Sequence, residues 1–354
     1  MVLRKAWVAD LGTYSVDTSK DPYDPNVGQV YFTAAEPKDA KGDEKQGECL
    51  SMEEETADKS MEYFLNVSSL ANLATIQPPD ATDGEAAGWT AQGAPTEVAI
   101  EVFARRFGWN RVEMSQGLKP TWKFIAEFPF DSDVKKMSAV YEHVETNKYH
   151  VLTKVSKPFL RNANVAINVL TCVQGAVERV ITSCSKIMSQ NAQSRNITSE
   201  DNTSIHSNME SLASQGLRVL ALAQRQLSPS EVGSGSYTVA SLSREKIEHD
   251  LIFLGLVGIY DPPRAESLPT VRKCQDAGIV VHMLTGDHPQ TARAIAADVG
   301  ILPSPQKLAT IAADVAATMV MTAQEFERLS DHHIDRLPQL PLVVARCAPA
   351  QKCA

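Results

Sequence analysis

The sequence predicts an α/β chain of two domains, and three observations lead there. Beyond Asp261 the pattern alternates between helix and strand, the alternation of a parallel, doubly wound sheet. Before Asp261, stretches with helical spacing of apolar residues are interspersed with short strand-like runs and polar turns. The run MLTGDHPQTARAIAADVGIL (Met283–Leu302) sets a Thr-Gly-Asp turn between an apolar strand and a helix opening at His288-Pro289. A length of 354 residues is enough for two or more domains with real cores.

Residues 3–8 alternate weakly and predict a strand. Residues 17–60 are polar and rich in Asp, Lys, Glu and Pro, and read as a long surface loop. Apolar residues recur at helical spacing over Met61–Leu73. Gly93–Trp109 (GAPTEVAIEVFARRFGW) is a clearer amphipathic helix, with Thr96 as its N-cap ahead of Val98, Ile100, Val102 and Phe103. Trp122–Phe128 and Met137–Tyr141 are strand-like and flank a polar turn, and His150–Thr153 is a further short strand. Asn191–Ser207 is polar; a helix is expected over Ile205–Leu222, ending near GLRVLALAQR. Ser228–Ser243 reads as a Ser/Gly-rich loop and Leu251–Tyr260 as a buried strand. A helix over Ala265–Ala277, a strand over Ile279–Leu284, the Thr-Gly-Asp turn, a helix, a loop, a helix over Thr322–Leu329 and a strand over Pro341–Ala345 complete the pattern.

Composition narrows the function classes. Hydrophobic residues at 43% and charged residues at 22% describe a globular chain, and a net charge of −9 argues against a nucleic-acid partner. No apolar run approaches the roughly 18–20 residues that a membrane span needs. The start, MVLRKAWVAD, lacks the apolar core of a signal peptide. The six cysteines form no CxxC pair and no His-Cys cluster with zinc spacing, so they read as reduced thiols. His332-His333, beside Asp331 and Asp335, suggests a metal only superficially, because adjacent helical residues face different directions. No metal site is expected.

Two segments carry candidate chemistry. In the Thr285-Gly286-Asp287 turn, the glycine permits a tight bend. It also leaves the Thr285 hydroxyl, the Asp287 carboxylate and the first N–H groups of the next helix facing one spot, as a phosphate site requires. An ordinary strand-to-helix turn would have the same three residues. The segment EFPFDSDVKKMS (Glu127–Ser138) offers what nucleotide binding away from a P-loop needs, an aromatic plate and cations, with Phe130 five residues before Lys135. Alone, such a Phe is more often core and such a Lys more often a solvated side chain.

The order of motifs adds a resemblance. GAPTE, EFPFDS followed by KKMS, a divided TK…GA, GLRVLALA, DPPR and MLTGD occur in the sequence in which P-type ATPases carry them. The wording most resembles the fungal sodium-exporting P-type ATPases, over nearly the whole chain. The resemblance implies an α+β nucleotide-binding domain with an antiparallel sheet over residues 1–262. It implies a partial Rossmann-like phosphorylation domain of the haloacid-dehalogenase type over 263–354. It implies ATP and Mg2+ as cofactors, the membrane and actuator domains of the pump as partners, and a place on the cytoplasmic side of the plasma membrane. Phe130 would stack on adenine with Glu97 nearby; Lys135, Lys154 and Gly175 would line the pocket, and Arg218 would reach the phosphates. Asp261 and Arg264 would sit at the hinge between the domains. Thr285, Gly286 and Asp287 would hold the transferred phosphoryl group, and Lys352 would neutralise it.

The sequence departs from that family in two ways. It contains neither DKTGT, with the phosphorylated aspartate, nor the magnesium-binding GDGxND. MVLRKAW resembles the segment just after the first motif, and the final residues precede the second. Covalent phosphoryl transfer is therefore not expected of these residues alone. The second departure is the separation of Lys154 from Gly175-Ala176 by VSKPFLRNANVAINVLTCVQ (155–174). Removing it restores YHVLTKGAVERVITSC. Val-Ser can be encoded by the splice donor GTAAGT, Gln by the acceptor CAG, and Leu170-Thr171 fits a branch point, so a retained intron translated in frame is expected over a genuine surface insertion. Two other function classes stand beside the pump fragment: a free-standing ATP-binding or regulatory module, and a soluble haloacid-dehalogenase phosphatase.

Overall fold

A computed structural model of the chain describes residues 1–17, 21–35, 48–49, 58–79, 88–129, 136–155, 183–227, 243–303, 313–337 and 339–347. Contacts divide it into two units. One comprises Met1–Ser156, Ala176–Asn208 and Val219–Tyr260; the other includes Met209–Arg218 and Asp261–Ala354. Among the described residues, no helix is long and apolar enough to cross a membrane.

The first unit is a large, mainly antiparallel sheet. Its strands are β1 (Val2–Val8), β2 (Gly12–Val16), β3 (Val30–Ala34) and β4 (Glu48–Cys49). After a separate ribbon of β5 (Thr75–Gln77) and β6 (Thr90–Gln92) come β7 (Trp122–Phe128), β8 (Lys136–His143), β9 (Lys148–Val155), β10 (Cys184–Ser189) and β11 (Gln193–Asn196). β12 (Leu217–Leu227) and β13 (Leu251–Tyr260) complete it. The order is β4-β3-β2-β1-β13-β12-β9-β8-β7, with β10 parallel to the start of β13 and β11 antiparallel to β10. β13 is central because nearly every residue in it is buried. Continuous apolar character suits a strand covered on both faces.

Three helices belong to this unit. α1 (Lys59–Leu70) is N-capped by Asp58, which accepts from the Ser60 N–H at 2.6 Å. α2 (Pro95–Arg106) and α3 (Arg111–Gln116) follow. α1 and α2 bury Phe64, Leu65, Ile100 and Phe103 against Leu152, Leu222, Leu254 and Val257 of the sheet. Gly255 makes this close approach possible: a Cβ there would collide with the Trp7 carbonyl oxygen and lie 2.9 Å from the Phe64 ring.

The second unit holds a parallel three-stranded sheet, in the order β14 (Met283–Leu284), β16 (Val343–Ala345), β15 (Val320–Thr322). Its core joins Val271, Ala292, Ala296, Val299, Leu302, Met319 and Val343. The helices Ser267–Asp276 and Pro289–Asp298 flank that sheet in sequence, and Thr322 and Glu325 form a capping box at the start of Ala323–Glu327. The α/β class and the contrast between an antiparallel and a parallel sheet agree with the sequence expectation.

Several local expectations are corrected. The helix expected over Ile205–Leu222 is Ser199–Ser214, and GLRVLALAQR enters strand β12. Thr198 and Asp201 cap the helix start reciprocally, and Gly216, at φ +75°, ends it. Thr96 does not cap α2. The N-cap is Ala94 with no side-chain bond, because the helix starts at Pro95, two residues earlier than a Thr96 cap requires. Residues 17–60, expected as a loop, contain β3 and the two residues of β4. The strand over Ile279–Leu284 is reduced to Met283–Leu284, the only residues of that run paired with β16, while Ile279 and Val280 are 56% and 63% exposed. The Ser/Gly-rich loop lies outside the described residues except for Ser243.

Arg195 staples the first unit. Its guanidinium bonds both oxygens of Asp201 at the helix start and Asp10 at 3.0 Å in the β1–β2 turn. It thereby holds the Asp201 carboxyl well below the ordinary 3.8. A depressed carboxyl stabilises the fold fully above its unfolded value, and that contribution disappears as pH falls through the folded value. Asp201→Asn is expected to lower the unfolding free energy at neutral pH by about 1–3 kcal/mol. In urea denaturation, its gap from wild type should narrow progressively on acidification below the ordinary 3.8.

Candidate functional site

The first unit buries Lys154 beside the Glu97 carboxylate. β9 carries Lys154, opposite Met137 of β8 and Leu222 of β12, and leaves it 6% exposed. α2 brings Glu97 in its first turn, and the Lys154 Nζ donates to Glu97 Oε1. Glu97 is itself fixed from the end of α1. The Leu73 N–H donates to Glu97 Oε2 at 3.3 Å, and Asn72 Nδ2 donates to the Glu97 carbonyl at 2.9 Å. Burial pushes the Lys154 ammonium below its usual range, while Glu97, then Glu127 and Glu101, oppose that shift. An ammonium in such surroundings interacts strongly with any anion that reaches it, since little water screens it.

One helical turn below Glu97, Glu101 is 1% exposed and pairs with Arg105 Nε at 3.2 Å. Sequence reasoning missed this carboxylate. The signal was available: Glu97, Glu101 and Arg105 recur at four-residue intervals on the helix face that also carries buried apolar residues. Phe130, Lys135 and Gly175 lie outside the described residues.

The second unit gathers a more exposed group. Thr285 Oγ1 donates to Asp287 Oδ2 at 2.8 Å, and the Asp287 N–H donates back to Thr285 Oγ1 at 3.1 Å. The turn is pinned to the strand end beside it: the Thr285 N–H reaches the Val344 carbonyl at 3.0 Å, and the Cys347 N–H reaches the Thr285 carbonyl at 2.9 Å. Gly286 occupies the middle, and the helix Pro289–Asp298 begins behind His288. Arg218 Nη2 lies 3.8 Å from Asp261 Oδ2 and 4.0 Å from Asp287 Oδ1. Three residues distant in sequence, Arg218, Asp261 and Asp287, are thus brought together, with Thr285 bonded to the third. Arg264 is exposed and forms no ion pair with them. Lys352 lies outside the described residues.

Chemically, the group offers an anion the Arg218 guanidinium; the Thr285 and Asp287 N–H groups already donate to the Val344 carbonyl and to Thr285 Oγ1. It does not fit a resident magnesium ion: its two carboxylates already share Arg218, and the described residues contain no set of three metal-ligating side chains.

An antiparallel α+β unit with a buried Lys–Glu pair, and a parallel unit with a Thr-Gly-Asp turn, make this a mixed α/β protein. Residues 60–156 and 161–266 match the family model of the P-type ATPase cytoplasmic domain N, and the chain belongs to the P-type ATPases. It is 35% identical over 386 aligned positions to sodium/potassium exporting P-type ATPase 1 of Saccharomyces cerevisiae, covering 99% of this chain and 33% of that protein. It is 36% identical over 353 positions to sodium/potassium exporting P-type ATPase cta3 of Schizosaccharomyces pombe, covering 99% and 30%. A calcium-transporting ATPase of Bacillus subtilis is 29% identical over 294 positions, 83% of this chain and 27% of its own length. The chain spans about a third of the length of the curated relatives it matches.

Burial raises the Glu101 carboxyl from its ordinary 4.5 to about 7, against the pull of Arg105 and Arg111. Across that window the folded protein keeps a proton that the unfolded chain has released. Stability therefore falls as pH rises through it and levels off above. Glu101→Gln keeps the shape without the titration, so its unfolding free energy should show a flatter dependence over the same window in denaturant melts. Parallel pH profiles for wild type and variant would contradict the assignment.

Proposed function

We propose that the chain is the ATP-recognition portion of a P-type pump that exports sodium or potassium through an aspartyl-phosphate intermediate. The observation that carries this reading is the Glu97–Lys154 pair: residues of two separate family motifs, 57 positions apart, meet in one buried contact. The names of the fungal relatives support the ion class. Residues 1–262 are the nucleotide-binding domain and 263–354 part of the phosphorylation domain. Phe130 stacks on adenine beside Glu97; Lys135, Lys154 and Gly175 line the pocket; Arg218 meets the phosphates. Asp261 and Arg264 form the hinge. Thr285, Gly286 and Asp287 hold the phosphoryl group transferred in the complete pump, and Lys352 neutralises it. Magnesium bound with ATP would supply charge that assists phosphoryl transfer in the complete pump, and Lys135, Lys154 and Arg218 would hold the nucleotide's phosphates in this chain.

The nucleophile of DKTGT and the carboxylates of GDGxND belong to neither domain portion as given. The 354 residues are therefore assigned ATP binding without turnover. The membrane and actuator domains of the pump are the partners that complete it, on the cytoplasmic side of the plasma membrane. Residues 155–174 are assigned to a retained intron. Val155 ends β9, and the remainder of that stretch lies outside the described residues.

Two measurements test these assignments. In calorimetric titration of the full chain, Phe130→Ala should weaken ATP binding about tenfold, the loss of one base–aromatic stack; equal affinities would remove the pocket assignment. Reverse-transcription sequencing across codons 154–175 should return transcripts that join Lys154 to Gly175. Transcripts that all retain the intervening codons would refute the intron.

A further inference from the structure

Two carboxylates of α2 act on a single ammonium. The Lys154 Nζ donates to Glu97, and Glu101, one turn further along, acts on the same charge through space, as Glu127 of β7 does. Lys154 is 6% exposed and Glu101 1%, so little water screens them. The two carboxylates are held unequally. Glu97 accepts from Lys154 and from the Leu73 N–H. Among the described residues, Glu101 accepts from Arg105 Nε at 3.2 Å and from Ser69 Oγ of α1 at 3.5 Å, a long and weak bond. Arg105 is also shared, since its Nη2 donates to Asn110 Oδ1 at 3.3 Å.

The other ionisable groups bearing on Glu101 are Arg111 of α3 and the Tyr141 hydroxyl of β8. Of the strands packed against α2, β5 carries no ionisable side chain. β1 adds Arg4 and Lys5, of which Arg4 lies over the Tyr260 ring of β13, 5.7 Å from its centroid. Burial favours the acid form of Glu101 and raises its carboxyl to about 7, while the two arginines favour the carboxylate. Both forms are therefore accessible near neutral pH. An anion placed on Lys154 brings a further negative charge to this corner. Lys154 and the Leu73 N–H hold the Glu97 carboxylate in its ionised form. Glu101 is then the carboxyl that relieves the added charge by taking a proton.

We propose that Glu101 belongs to the ATP-binding site as a proton-binding group: a solvent proton adds to its carboxylate oxygen as the nucleotide's phosphates meet Lys154, so the site takes up proton and nucleotide together. This rests on the assignment of Lys154 to ATP. A purely structural Glu101 would change thermal stability and leave the pH dependence of ATP affinity untouched.

The experiment measures ATP dissociation constants of the full chain between about pH 6 and about pH 8, with magnesium in excess to keep the terminal phosphate ionised. Wild type, Glu101→Gln and Lys154→Gln are compared. Wild-type affinity should fall about fivefold across that range as Glu101 ionises, and Glu101→Gln should hold the high-affinity value throughout. Titration of Lys154 itself would make the fall steeper in Glu101→Gln, because losing a neighbouring carboxylate loosens the ammonium's proton. Infrared difference spectroscopy of the wild type guards against a variant that fails to fold. Adding ATP at about pH 7.5 should strengthen the protonated-carboxyl stretch at the expense of the carboxylate bands. A pH dependence in Glu101→Gln parallel to wild type, or no gain of protonated carboxyl in the wild type, with ATP binding weakened in Lys154→Gln, would overturn the Glu101 role and leave the pocket assignment standing. A wild type that does not bind ATP, or an unaffected Lys154→Gln, would overturn the pocket assignment and this inference with it.

Discussion

The pairing of Lys154 with Glu97 is the constraint on which the first unit's arrangement depends. Removing an ammonium from water carries a penalty of several kcal/mol unless a partner and further hydrogen bonds meet it. The partner comes from α2, so the start of α2 has to lie over β9. Pro95 sets where that helix begins, and Asn72 and Leu73, at the end of α1, hold Glu97 from the other side. The apolar packing of Phe64, Leu65, Ile100 and Phe103 on the sheet keeps both helices in place. A single buried pair thus ties together three elements distant in sequence, and the core around it supplies the rigidity that the pair lacks alone.

The second unit uses charge differently. Arg218 is 31% exposed and stands at the outer limit of ion pairing with Asp261 and Asp287. Exposed pairs at such separations contribute little to stability. The hydrophobic core around Val271, Ala292 and Val343 holds this unit together. What fixes Arg218 is backbone geometry. Gly216 turns the chain out of the preceding helix, and Thr291 Oγ1 bonds the Leu217 carbonyl at 3.0 Å in a buried position.

Legibility in the sequence followed the range of the interactions. α2, β7, β13 and the Thr285-Gly286-Asp287 turn were readable because apolar periodicity or a local turn specifies each one. The segment before β12 was misread because its apolar residues alone fit a helix; Gly216 was the punctuation that separated helix from strand. The end of the helix Ser267–Asp276 was placed well, yet the strand after it was overextended, since Ile279 and Val280 are apolar without being paired. Among the charged residues that the structure brings together, Glu97, Lys154, Arg218, Asp261 and Asp287 stand in motifs. Glu101 was missed because charged residues on a helix are first taken for its solvated face.

The same distinction separates residues that meet a ligand from residues that hold them. Ligand-facing groups sit in short motifs, because a turn or a strand end presents neighbouring residues to one point. Supporting groups do not: Ser138 and Glu248 are 110 positions apart, and Arg244 reaches a carbonyl 115 positions away. Their partners are defined only once the sheet has closed. Strand ends concentrate such supports, because ladder hydrogen bonds stop there while the carbonyls remain and still require donors. In this chain the Arg244 guanidinium, fixed by the buried Glu248 carboxylate, supplies such donors to the Pro129 and Lys136 carbonyls at the ends of β7 and β8.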